Sequence, residues 1–265
     1  MSFSEPTAPR AGFVRFVGAG PGAEDLITVR GLNALRAAEV VVYDELANRA
    51  LLRHCRAGTE LLHVGKRAGC PGARQEEINW LLVAHARAGR QVLRLKGGDP
   101  TVFGRLGEEL HALRSAGIEF EIVPGVTAAC ASAAAAGISL TQRGVASAAI
   151  LATGHECAEK GAPALDWAAL ASLEATLCVY MGTRHLGLLA GRLIAQGRPA
   201  DTPVLIVSHA SLPSQVIRSG TLETAAELAA DAAGAPSLIV IGALAASNPG
   251  LLALFRDSTV AADAR

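Results

Sequence analysis

The segment QVLRLKGGDPTVFGRLGEELHALRSAG, Gln91 to Gly117, decides the fold class of this chain. Gln91–Leu95 reads as a short strand that runs directly into the glycine-rich turn Lys96-Gly-Gly-Asp-Pro100. A helix is then predicted over Gly104–Ala116, opening after Pro100 and closing before Gly117. The same succession recurs on both sides. Upstream, Phe13–Val17, Val40–Tyr43 and Leu61–Val64 read as strands; downstream, Phe120–Val123 does. Arg74–Ala88 is a second helix, with Ile78, Leu81, Leu82 and His85 on one face at helical spacing. Strand and helix alternating in this way imply an α/β fold with a largely parallel sheet.

The second half repeats the alternation less regularly. Ala148–Thr153, Thr176–Met181, Val204–Ser208, Gln215–Ser219 and Leu238–Ile241 are strand candidates, and His185–Gln196 and Glu223–Ala233 are helix candidates. A short Ser/Pro loop joins Val204–Ser208 to Gln215–Ser219, which reads as an antiparallel hairpin and makes the second sheet mixed. Thr127–Ala136, rich in alanine, reads as a helix at a domain hinge. The expected division is 13–126 and 127–250, with flexible tails at 1–12 and 256–265.

Bulk properties exclude several classes of function. The 265 residues carry 24 basic and 24 acidic side chains, so no global field draws the chain to nucleic acid or to an anionic membrane. No charge-free apolar stretch reaches the length of a membrane span. Met1 to Gly12 lacks the apolar core of a signal peptide. The five cysteines, Cys55, Cys70, Cys130, Cys157 and Cys178, form no CxxC pair, which fits a reducing cytoplasm and neither a disulfide framework nor a zinc site. No His/Asp/Glu spacing matches a metal centre, so no metal is expected.

The unusual residues fall just after the predicted strands. Gly18-Ala-Gly-Pro-Gly22, Asp44, Gly65-Lys-Arg67, Lys96–Pro100 and Pro124-Gly-Val-Thr127 follow strands of the first half. Thr153-Gly-His155, Tyr180-Met-Gly182 and Ser208-His-Ala210 follow strands of the second. In open α/β sheets the ligand crevice lies outside the carboxyl ends of the strands, so these motifs would converge there. Each also has a plainer reading. The GxGxG of Gly18–Gly22 serves tight turns as well as ligands, and Pro21 removes an N–H from any phosphate nest. Asp99 could cap a helix or accept from an amine or hydroxyl, with Pro100 starting that helix. Asp44 could cap a turn or stand poised in the crevice. Lys66 and Arg67 could be a solvated strand end or an anion site. Met181 fits a core position, and His155 and His209 fit structural roles.

The ordered motifs GAGPG, VVYD, GKRAG, QEEIN, LRLKGGDPTVFGR, EE, PGVTAA, AGISLT, TGH, VYMG and SLIVIG resemble those of the S-adenosylmethionine-dependent tetrapyrrole methylases, and among them the uroporphyrinogen-III C-methyltransferases. The resemblance covers about Val14 to Ala246. It implies two α/β domains, the first sheet mainly parallel and the second mixed, with the methyl donor in the cleft between them, and a homodimer. It implies S-adenosylmethionine as donor, S-adenosylhomocysteine as product, and two successive C-methylations of uroporphyrinogen III to precorrin-2 through precorrin-1. Carried over residue by residue, the donor is expected against Pro21, Gly97, Gly98, Asp99, Val102, Thr127, Ala128, Met181, Ala210 and Ser237. Asp44 takes the place of the proton acceptor and Lys66 that of the proton donor. Arg67, Arg105 and Arg143 would meet the carboxylates of the substrate.

The chain departs from the family pattern at Leu106, Ala135 and Gln142, where substrate contacts are expected. No precorrin-2 dehydrogenase/ferrochelatase segment precedes the motifs, so a stand-alone methylase is expected. The alternatives are another precorrin C-methyltransferase of corrin synthesis and a non-catalytic sensor of S-adenosylmethionine or tetrapyrrole.

Overall fold

The computed structural model describes residues 12–65, 74–154 and 165–246. The chain divides between Thr127 and Ala128 into two compact units. In the first, β1 (Phe13–Gly18), β2 (Val40–Tyr43), β3 (Glu60–His63), β4 (Gln91–Lys96) and β5 (Glu119–Val123) form one sheet in the order β3-β2-β4-β1-β5. Every pairing in it is parallel. A parallel sheet is covered on both faces, and β2 shows why its sequence is a continuous apolar run. Val40 and Val42 join a core with Phe16, Ile78, Leu82 and Leu113, whereas Val41 and Tyr43 join another with Leu35, Leu51, Leu93 and Leu95. The first core lies under α2 (Gln75–Arg87) and α3 (Leu106–Ser115), and the second under α1 (Val29–Ala37) and a 3-10 segment, Arg49–His54. Each fully buried side chain such as Leu35 or Leu82 contributes about 1.5–3 kcal/mol.

Helix α1 is an element that the sequence reading did not anticipate. Only Gly31, Ala34 and Leu35 are buried, and Val29 is exposed. Its start is set by Thr28, whose Oγ1 accepts from Gly31 N at 3.1 Å. Two expectations about α3 need correction. The helix begins at Leu106, not at Gly104, and Pro100 does not start it. Phe103 and Arg105 take left-handed backbone (φ 48° and 52°), which holds the chain in a turn until Leu106. Leu106 itself is buried in the α2–α3 core, so the side chain that departs from the family pattern packs inward.

The second unit opens with α4 (Ala128–Ala136). Its strands β6 (Ala148–Thr153), β7 (Ala175–Tyr180), β8 (Pro203–Ser208), β9 (Val216–Thr221) and β10 (Ser237–Ile241) lie in the order β6-β7-β10-β8-β9. β6 and β7 are parallel; β10 runs antiparallel to both β7 and β8, and β8–β9 is the expected antiparallel hairpin. The sheet is therefore mixed. One core gathers Leu177, Val179, Val204, Ile206, Ile239 and Ile241 with α6 (Leu186–Ala195) and α7 (Ala225–Asp231). α4 lies against β8 and β10. A short helix before β7, α5 (Trp167–Ser172), was not legible in the sequence; Asp166 caps it, accepting from Ala169 N at 2.9 Å. Buried Arg198 donates to the carbonyls of Leu170, Leu173 and Ala175, which secures the α5–β7 turn. No helix among the described residues is long and apolar enough to cross a membrane.

Candidate active site

In the first unit, parallel strands bring the strand-end motifs of the described residues to one edge of the sheet. The loops after β1 and β4 are bound to one another backbone to backbone, and the loop after β5 packs against both. Ala19 N donates to Lys96 O (2.7 Å), Gly98 N to Gly20 O (2.7 Å) and Gly20 N to Gly98 O (3.2 Å). A Cβ on Gly125 would stand 2.3 Å from Gly98 O, and one on Gly18 would stand 2.6 Å from Gly125 Cα. Only glycine permits that approach. Asp99 clamps the same loops. Its Oδ1 accepts from Thr101 N (2.7 Å) and Thr101 Oγ1 (2.5 Å), and its Oδ2 accepts from Gly125 N (2.9 Å). Asp99 thus caps a turn and ties β4 to β5, but it is not the N-cap of α3, a place taken by Arg105. Pro21, Gly97, Val102 and Thr127 lie half-buried on these loops.

Asp44 follows β2 with its side chain 28% exposed. Its two oxygens do different work. Oδ1 accepts from Leu46 N and Ala47 N, both at 3.2 Å, which is a turn cap. Oδ2 faces Arg94 Nη2 at 3.4 Å. The turn-capping reading of Asp44 is thus met by Oδ1, while Oδ2 is paired with a buried cation. Arg94 belongs to a buried ionic group that sequence reasoning missed. Its Nε donates to Glu109 Oε1 (2.9 Å), and Lys96 Nζ donates to Glu109 Oε2 (2.6 Å). Burial, and then the neighbouring Arg94 charge, push the Lys96 ammonium below its ordinary pKa, while Glu109 and Asp44 oppose the shift. The signal was available: Arg94 and Lys96 are charged residues at alternate positions of a strand whose other residues are mostly apolar. Asn48 was also missed. It donates to Gly22 O (2.7 Å) and accepts from Ala50 N (2.9 Å), joining the loops after β1 and β2.

Lys66, Arg67 and His155 lie outside the described residues. Arg105 is exposed, and its guanidinium is paired with Glu108 through Nε and Nη2, each at 2.8 Å. That bond raises the Arg105 pKa further above its already high value.

In the second unit, the ends of β6, β7 and β8 and the start of β10 share one edge. Gly154 and Gly182 pack so closely that a Cβ on Gly154 would lie 2.3 Å from Gly182 Cα. Met181 follows Tyr180 in left-handed backbone (φ 53°) and is 54% exposed, not a core residue. Tyr180 Oη accepts from Ala129 N at 3.1 Å, at the start of α4, beside half-buried Ala128. After β8, His209 (φ 50°) and Ser211 (φ 69°) flank buried Ala210. Ser237 pairs in register with Ser208, and their hydroxyls meet at 2.8 Å. Arg143 is exposed on a tight turn closed by Gln142 and Ala146; Ala135 is half-buried in α4. The five described non-glycine residues with positive φ are Phe103, Arg105, Met181, His209 and Ser211, all in loops that follow β4, β7 and β8. Such backbone costs about 1–3 kcal/mol per residue and concentrates where ligands are held.

Comparison with known proteins matches residues 14–226 to the family of Tetrapyrrole (Corrin/Porphyrin) Methylases. The siroheme synthase of Zymomonas mobilis is 47% identical over 238 residues, which are 90% of this chain and 50% of that protein. The chain spans about half the length of the curated relatives it matches. Among solved structures, the uroporphyrin-III C-methyl transferase of Thermus thermophilus complexed with S-adenyl homocysteine is 38% identical, with a TM-score of 0.74 over 88% of this chain and 98% of that one. A cobalt precorrin-4 methyltransferase of cobalamin biosynthesis is 30% identical, with a TM-score of 0.78 over 89% of this chain and 98% of that one.

Proposed function

This chain belongs to the tetrapyrrole (corrin/porphyrin) methylase family, and we propose that it methylates uroporphyrinogen III twice at carbon, with S-adenosylmethionine as donor, giving precorrin-2 through precorrin-1. The observation that carries the reading is the 38% identity to a uroporphyrin-III C-methyl transferase over 98% of that chain. The local structure fits such a donor. Glycine packing brings the main chains of the loops after β1, β4 and β5 into direct contact at the edge of the first sheet. Asp99 stands beside them, with Oδ2, which already accepts from Gly125 N, retaining capacity for one further amine or hydroxyl donor. We assign Pro21, Gly97, Gly98, Asp99, Val102 and Thr127 of the first unit, and Ala128, Met181, Ala210 and Ser237 of the second, to donor binding.

When bound, S-adenosylmethionine supplies an electrophilic methyl group on a cationic sulfur. The electron-rich pyrrole carbon forms the new carbon–carbon bond as the carbon–sulfur bond breaks, so the protein mainly aligns the two partners and excludes water. Asp44 accepts the proton that the methylated macrocycle then loses. Arg105 and Arg143, both exposed, meet the substrate carboxylates, with Arg105 exchanging its Glu108 partner for one of them. Lys66 as proton donor and Arg67 as a further carboxylate contact carry over from the sequence alone.

The test is incubation with S-adenosylmethionine and enzymatically made uroporphyrinogen III under reducing conditions, followed by mass spectrometry. A product heavier by two methyl groups supports the reading; no methyl gain overturns it. A second reading, methylation of a later corrin precursor, is favoured by the TM-score of 0.78 to the cobalt precorrin-4 enzyme. It predicts methyl gain on such a precursor and none on uroporphyrinogen III.

A further inference from the structure

The charged group behind Asp44 has no reason to exist in packing terms. On β4, Val92, Arg94 and Lys96 point to the α2–α3 face of the sheet, and on α3 the buried stripe is Leu106, Glu109 and Leu113. Three charged side chains therefore occupy positions whose neighbours are core residues, with side-chain exposures of 4%, 5% and 0% for Arg94, Lys96 and Glu109. Removing charges from water costs several kcal/mol per ion, and well-packed apolar residues in their place are commonly as stable or more so. Stability alone does not account for the cluster.

Its geometry leads to Asp44. Each direction of the Arg94 guanidinium is used: Nε to Glu109 Oε1 at 2.9 Å, Nη1 to Leu95 O at 3.0 Å and Val42 O at 3.4 Å, and Nη2 to Asp44 Oδ2 at 3.4 Å. The Asp44 contact is longer than the Glu109 contact, so a small swing of the guanidinium breaks it. Glu109 prevents that swing. Its own carboxylate is divided between two cations, one oxygen to Arg94 and the other to Lys96. The four groups balance as two positive and two negative charges, and Asp44 is the most exposed of them.

We propose that Glu109 is a positioning residue for Asp44, acting through Arg94, with Lys96 as the counter-charge that fixes the Glu109 carboxylate. The assignment rests on the reading of Asp44 as proton acceptor. Helix α3 thereby holds one oxygen of the reacting carboxylate, while the β2 turn holds the other.

The test is a double-mutant cycle on the single-turnover rate of uroporphyrinogen III methylation at saturating S-adenosylmethionine. Glu109→Gln alone leaves two buried cations short of a partner and could fail to fold. The working variant is therefore Lys96→Met combined with Glu109→Leu, which removes one charge of each sign together with the acceptor that holds Arg94 Nε. Melting temperature and S-adenosylhomocysteine binding, measured in parallel, should stay near those of the unaltered protein. With Asp44 present, the combined variant should slow methyl transfer by about tenfold, within the coupling range of residues in one network. In the Asp44→Asn background it should cause no further loss. The same factor in both backgrounds, or no loss in either, overturns the positioning role and leaves Asp44 as acceptor. A wild-type rate for Asp44→Asn itself overturns the acceptor reading, and the positioning role with it.

Discussion

Asp44 divides its carboxylate between a turn and a buried cation. Its Oδ1 closes the turn on Leu46 N and Ala47 N, and its Oδ2 is turned to Arg94. Asn at this position keeps an oxygen for the turn and loses the charge. Asp44→Asn should therefore leave S-adenosylmethionine affinity unchanged and slow single-turnover methylation by about 10²–10⁴-fold, the usual contribution of a general base. A wild-type rate across pH would make Asp44 a cap only. The cysteines differ among themselves for a physical reason that the sequence does not show. Cys178 is buried on β7, and desolvation, with a smaller contribution from Cys130, pushes its thiol up to about 12, whereas Cys130 is exposed. A thiol with that pKa is thiolate at about one part in 10⁴ at pH 8, and the thiolate is the nucleophile. Iodoacetamide at pH 8 should modify Cys130 in the native protein and Cys178 only after denaturation, which peptide mass spectrometry reads directly. Early labelling of Cys178 would show that β7 is open.

Most elements were legible because their residues repeat at the period of the element. The four residues of β2 are all buried, and an unbroken apolar run between turn signals has few other fates. Two helices escaped this logic. α1 buries Gly31, Ala34 and Leu35 on one face, a stripe of mostly small side chains that lets the helix approach β1 closely but stands out little in composition. α5 has only six residues, and none is buried. The start of α3 was misplaced because local propensity says nothing of the left-handed residues Phe103 and Arg105. The loop before them carries a prediction of its own. Gly98 sits at φ 67° and exchanges two backbone hydrogen bonds with Gly20. A β-branched side chain is strained there by more than about 1–2 kcal/mol. Gly98→Val should abolish S-adenosylhomocysteine binding in calorimetry while the far-ultraviolet circular dichroism stays that of the parent. Unchanged affinity would detach the loop from the donor site.

At the scale of the molecule, the proposed reaction requires a donor site that works without metal. S-adenosylhomocysteine at a hundred times its Kd should stabilise the folded chain by about 2.7 kcal/mol, seen as a higher melting temperature that a chelator does not alter. Loss of the shift with chelator would call for a metal in the site. The family resemblance also carries a homodimer. Light scattering should give twice the chain mass independent of concentration, and a constant monomer mass would remove that assignment.

What the sequence by itself determined is what depends on near neighbours along the chain. Period and turn chemistry located the strands, made the first sheet parallel and the late hairpin antiparallel, and placed the glycine and Asp motifs at strand ends. What only the tertiary structure decided depends on residues far apart in sequence. Ser237 stands at the start of its strand, yet it shares an edge with Ser208 because β10 runs antiparallel to β8. Leu106 packs inward because α3 presents it to the core that also holds Phe16 and Ile78. Arg94 and Lys96 stand out in order as charges on a mostly apolar strand, but Glu109 reads as an ordinary charge near the start of a helix. They become one buried ionic group only when α3 is laid on β4, since a charge finds its partner through space and a linear pattern has no term for that distance.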